Sequence, residues 1–109
     1  MAKYEKTLSG DFSSILNQIE NGILNGSVSA SLEDCSDFRD GDARCSVRIF
    51  ERYSYMGGNR VSLSITLFTS GNGQNRLSAI TSGGSQAMFF KINTLGEEAF
   101  LDCLREIIE

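Results

Sequence analysis

The sequence predicts an α+β fold: an antiparallel sheet of about five strands with two helices on one face, in the order β-α-β-β-β-β-α. Three observations carry this expectation. Segments near both ends repeat apolar residues at helical spacing, whereas the stretch between them alternates apolar and polar residues with period two. That stretch is punctuated by Asp-Gly, Gly-Gly-Asn and Gly-Asn-Gly turns. A meander with both helix stripes laid on one side buries all of these surfaces together.

Tyr4 to Leu8 alternates weakly and reads as the first strand. Gly10 and Asp11 open a helix whose stripe is Phe12, Ile15, Leu16, Ile19 and Ile23. Asn25-Gly26 supplies the left-handed residue that commonly ends a helix. Gly22 costs roughly 1 kcal/mol against Ala, which frays the last turn. From Ser27 the period becomes two, and Val28, Ala30 and Leu32 form the buried side of a second strand. Asp40-Gly41 is a hairpin turn. A long third strand runs to about Tyr55, with Cys45, Val47 and Ile49 alternating with Arg44, Ser46 and Arg48.

After Gly57-Gly58-Asn59, the residues Val61, Leu63, Ile65 and Leu67 give the cleanest alternation in the chain. Gly71-Asn72-Gly73 turns into a fifth strand, Arg76 to Thr81. A two-residue turn there buries Ile80, and a three-residue loop buries Leu77 and Ala79 instead. Gly83-Gly84 is read as a bulge or turn, after which Met88, Phe89, Phe90 and Ile92 run extended. Thr94 and Glu97 have capping-box spacing, which starts the second helix at Thr94. Phe100, Cys103, Leu104, Ile107 and Ile108 form its stripe. The same element order occurs in TATA-binding-protein-like folds and reduced helix-grip ligand binders, an analogy of order that carries no function.

Counting back from an Asp40-Gly41 turn sets Leu32 against Ile49, Asp37 against Arg44 and Glu33 against Arg48. Apolar matches and opposite-charge pairs agree on that register. A three-residue second loop sets Tyr53 against Leu63 on the inner face, and Phe50 against Thr66 on the outer. The face away from the helices then carries Arg48, Phe50, Arg52 and Phe68 among Ser and Thr. Glu51 falls on the inner face, where a carboxylate must be paired, lie near an edge or line a cavity.

The chain has 109 residues, read as one domain spanning 1–109, with 10 basic and 14 acidic residues for a net charge of −4. That balance disfavours nonspecific binding to nucleic acid or anionic membrane. The sequence contains no His, no Trp and no Pro, so Ser-His and Cys-His nucleophiles and His-ligated metals are excluded. Cys35, Cys45 and Cys103 are odd in number and widely spaced, as for reduced thiols. Cys45 and Cys103 read as buried small hydrophobes. Cys35 sits beside Asp34 and Asp37, which dull a thiol nucleophile. No apolar leader or membrane-length run occurs, and the expected location is cytoplasmic.

Arg44, Arg48 and Arg52 with Phe50 resemble a basic-aromatic platform for nucleic acid. Asp37 and Glu33 neutralise two of these arginines, which weakens that reading. Ser82-Gly83-Gly84-Ser85-Gln86 offers backbone amides to an anion but matches no nucleotide-binding fingerprint. The acidic run Asp34, Asp37, Asp40, Asp42 lacks the order of a calcium loop, so no metal or cofactor is expected.

Two stretches, Phe38 to Phe68 and Ser78 to Leu101, resemble a family of small single-domain bacterial proteins catalogued only as a domain of unknown function. GGSQA at 83–87 and NTLGEEAF at 93–100 are its most specific segments. The resemblance spans essentially the whole chain. It implies a bacterial cytosolic α+β domain and supplies no catalytic or binding residues.

The leading functional expectation is a non-enzymatic module that binds a small ligand or a protein. Phe50 and Phe68 on a polar sheet face carry it, and a self-complementary face gives a homodimer. The alternatives are nucleic-acid or anion binding through the Arg/Phe face or the Gly-Gly loop, and an enzyme using Glu51 as a semi-buried acid or base.

Overall fold

The computed structural model describes residues 1–54, 59–83 and 90–109. The elements are β1 (Ala2–Ser9), α1 (Phe12–Asn25), β2 (Ser31–Asp40), β3 (Ala43–Ser54), β4 (Asn59–Thr69), β5 (Gln74–Gly83) and α2 (Phe90–Ile108). One antiparallel sheet runs β1-β5-β4-β3-β2, with β4 at its centre and β1 and β2 as edges. Both helices pack on the same side. Among the described residues no helix is long and apolar enough to cross a membrane.

Asp11 caps α1, its carboxylate accepting from Ser14 N at 3.0 Å and Ser14 Oγ at 2.9 Å. Phe12, Leu16, Ile19 and Ile23 are buried, and Ile15 packs at their margin. The end of α1 differs from expectation. Gly26 has φ −80°, a right-handed value, and donates its N–H to Ile23 O at 3.3 Å. Gly22 serves close packing between the helices: a Cβ there would lie 2.6 Å from the Ile107 side chain of α2.

The second helix starts at Phe90, ahead of Thr94, so Phe90 and Ile92 are helical rather than extended. Met88 and Phe89 lie outside the described residues, as do Tyr55 and the greater part of the Gly57-Gly58-Asn59 turn. In α2, Phe100, Leu101 and Leu104 are buried, whereas Cys103, Ile107 and Ile108 are half-buried against the core. Buried Glu97 is paired with the Met1 ammonium at 3.1 Å.

The hairpins determine which side chains face the helices. Gly41-Asp42 forms the first turn, one residue later than expected, with Asp40 opposite Ala43. Gly41 has φ +61° at the first central position, where a type II′ turn places glycine. A bulge between Leu32 and Asp34 then shifts the register, bringing Leu32 opposite Phe50 and Ser31 opposite Glu51. The strand begins at Ser31, so Val28 is fully exposed rather than buried in it. In the third hairpin the three-residue loop prevails, burying Leu77 and Ala79 and exposing Ile80.

The second hairpin overturns the expected face of β3. Ser54 pairs with Asn59, Arg52 with Val61, Phe50 with Leu63 and Arg48 with Ile65. This register is an odd number of residues from the expected one, and an odd shift moves every β3 side chain to the other face. The physical reason is visible at each position. Phe50 is 0% exposed, opposite Leu63 in the core that Val61, Ile65 and Phe100 complete, whereas Cys45, Val47 and Ile49 stay half-buried on the other side. The arginines follow Phe50 inward because the helices provide partners. Arg44 lies 4.3 Å over the Phe12 ring and Arg52 4.6 Å over the Phe100 ring. Arg48 pairs with Glu20 of α1 and, at 3.0 Å, with Asp37 of β2.

Candidate partner face on the open side of the sheet

The side of the sheet away from the helices is built from the alternate residues of all five strands, and strand pairing orders them into rows. One row runs Phe38, Cys45, Phe68, Arg76, Thr7. The next is Ser36, Val47, Thr66, Ser78, Glu5, followed by Asp34, Ile49, Ser64, Ile80, Lys3. A fourth, shorter row holds Ser31, Glu51, Ser62 and Ser82. Phe38 is 66% exposed, Phe68 41% and Ile80 39%, with Cys45, Val47 and Ile49 half-buried between them.

The expected platform is therefore dispersed. Phe68 stands on this open face, but Arg48, Phe50 and Arg52 lie on the helix side. Burial opposes the charge on Arg48, yet hydrogen bonds to Glu20 and Asp37 raise its pKa above the ordinary arginine value. Asp37 is held below the usual carboxylate range, first by the Ser46 hydroxyl at 2.6 Å and then by Arg48.

Glu51 is also corrected. It lies on the open face, with its carboxylate 3.0 Å from Arg60 Nε, and Arg60 Nη2 also donates to Ser31 at 3.1 Å. The pair lies at the surface, with both side chains more than a third exposed. Cys45 is a half-buried open-face residue rather than a core one, and Cys35 is exposed. The thiol of half-buried Cys103 is pushed up by burial. Ser82 and Gly83 end β5, where the Ser82 and Ser62 hydroxyls are 2.7 Å apart. Gly84, Ser85 and Gln86 lie outside the described residues.

The open face is uneven. A depression of about 500 Å³ opens over β1, β5 and β4, lined by Glu5, Thr7, Thr66, Phe68, Arg76 and Ser78 among others. On the opposite flank, Phe38 stands out on β2. Among the described residues no group of three or more His, Cys, Asp or Glu could hold a metal ion. The described part of this face presents apolar and hydrogen-bonding contact surface. Sequence reasoning missed Phe38, Val47 and Ile49 as members of this face and left Ile80 open between two turn lengths. The available signal was the alternation of Arg76, Ser78 and Ile80 against Leu77, Ala79 and Thr81.

Residues 1–109 match the model of a family of unknown function, DUF6054. No curated protein matches the chain in sequence.

Proposed function

The chain belongs to the DUF6054 family, whose function is unknown, and we propose that it is a non-enzymatic binding module whose open sheet face receives a protein partner. One observation carries this reading: β3 turns its aliphatic side, Cys45, Val47 and Ile49, away from the helices. Phe38, Phe68 and Ile80 extend that surface on the neighbouring strands. Contiguous exposed apolar surface of this kind is a recurring mark of interaction sites on soluble proteins. The Ser and Thr hydroxyls between these residues supply hydrogen-bonding groups suited to a protein surface.

The other readings have less support. The β3 arginines that would contact nucleic acid are engaged with Phe12, Glu20, Asp37 and Phe100. Glu51, the candidate acid or base, is paired with Arg60.

A photo-cross-linking amino acid placed at Phe68, and separately at exposed Asn17 on α1, tests the proposal in cells that make the protein. Covalent protein adducts at position 68 and none at 17 are expected. Adducts absent from position 68, or equal at both positions, contradict it.

A further inference from the structure

One open-face row reads nearly as its own mirror image about the central strand. In the row Lys3, Ile80, Ser64, Ile49, Asp34, a basic end and an acidic end enclose two isoleucines around a serine. A two-fold axis parallel to β4, placed just above the open face, superposes this row on itself reversed. It would set Lys3 of one copy against Asp34 of the other, Ile80 against Ile49, and Ser64 against its own counterpart. In the next row it would set Ser78 against Val47 and Thr66 against Thr66. In the row through Phe68 the two Phe68 rings would meet at the axis, Cys45 would lie over Arg76, and Phe38 over Thr7 beside that arginine. That last pairing is one of shape, because Thr7 and Arg76 line the depression of about 500 Å³. The most exposed ring of the face and this hollow occupy mirrored positions.

We propose that the occupant of the open face is a second copy of this chain, related by a two-fold axis along β4. This rests on the reading of the face as a partner surface and names the partner. Because the axis maps the face onto itself, the contact is closed and stops at two copies. Other two-fold orientations lose the charge match: an axis across the strands would set β1 on β1 and would not bring Lys3 to Asp34. Edge-to-edge pairing is opposed at β2 by Glu33, Asp34, Asp37, Asp40 and the bulge at its start. Five strands about 4.8 Å apart, with three side-chain rows each, offer about 500 Å² per copy and about 1,000 Å² in all. That is near the lower limit for a specific interface, so the dimer dissociates on dilution.

Sedimentation over a dilution series from about 10 µM to about 1 mM, the span where weak association is read, tests the inference. The wild type is expected to approach twice the chain mass at the upper end, and Phe38→Ser to remain monomeric. Lys3→Glu and Asp34→Lys are each expected to weaken association about tenfold, since symmetry makes every lost ion pair count twice. The double variant Lys3→Glu with Asp34→Lys is expected to recover it. Thermal unfolding of each variant reports that these exposed substitutions leave the fold intact. A dimer indifferent to Phe38→Ser, or a double variant no better than the singles, overturns the inference. A wild type that stays monomeric to 1 mM also overturns the second copy, whereas the open-face reading stands or falls separately on the cross-link at position 68.

Discussion

Phe50 and Phe68 lie on opposite faces of the same sheet: Phe50 packs under the helices with no exposure, and Phe68 stands on the open side at 41% exposure. Truncating the two rings therefore has different consequences. Phe50→Ala is expected to lower stability by about 3–5 kcal/mol, the range for a buried aromatic. Phe68→Ala is expected to change it by under about 1 kcal/mol. Urea unfolding of both variants at a concentration where the chain is monomeric measures the difference. Equal losses would place both rings on one face.

Arg48 and Glu20 join α1 to β3, with the arginine side chain 10% exposed and the glutamate 24%. Removing one partner leaves the other poorly solvated, so Arg48→Met and Glu20→Met are each expected to cost about 1–3 kcal/mol. The double variant is expected to cost less than the two added together, because apolar side chains then meet apolar side chains. Strict additivity in this cycle would show that the pair contributes nothing jointly.

Asp37 gives a pH dependence of known sign. Its folded pKa lies below the ordinary value of 3.8, so its stabilisation is full at neutral pH and fades as pH falls below about 4 through the depressed value. Asp37→Asn is expected to lower stability slightly at pH 7 and to flatten the loss between about pH 4 and pH 2. Thermal midpoints measured across that range would show it. An unchanged acid slope would remove Asp37 from the pairing with Ser46 and Arg48.

Gly71 and Gly73 flank the third turn with φ +101° and +80°, but only one of them is crowded. A Cβ on Gly71 would sit 2.5 Å from Asp42 Cβ and 3.1 Å from Asp42 O, whereas one on Gly73 would meet nothing within 4 Å. Gly73→Ala is expected to cost about 1 kcal/mol from backbone conformation alone. Gly71→Ala should cost at least about 1 kcal/mol more, because the Asp42 backbone must also move. Chemical denaturation of both variants orders them.

The sequence made β4 and α1 legible because most of their apolar residues share one side, whereas in β5 Ile80 competes with Leu77 and Ala79 and the turn length stayed open. Val61, Leu63, Ile65 and Leu67 are all buried, as are Phe12, Leu16, Ile19 and Ile23. In β3 the same reading fails, since both of its sides carry apolar residues. Cys45, Val47 and Ile49 compete with Phe50, and alternation alone cannot weigh three small side chains against one large ring. Arginine deepened the error. Its charge reads as surface, yet Arg44 and Arg52 find aromatic rings on the helices and Arg48 finds Glu20. In β2 no apolar set is buried, so neither its start nor the bulge near Leu32 left a periodic trace. The candidate site inherited the β3 inversion: Phe68 was legible as part of it and Val47 and Ile49 were not, while Phe38 on β2 had no periodic signal and Ile80 hung on the length of the third turn.

The partner face depends on β3 turning its aliphatic side outward, and methyl NMR with a neutral soluble gadolinium chelate measures that side most directly. In dilute, monomeric protein, the account predicts strong paramagnetic relaxation of the Val47, Ile49 and Ile80 methyls, with Val61 and Ile65 shielded. Val47 and Ile49 shielded as fully as Ile65 at every dilution would contradict it, because β3 would then present its arginine side to solvent.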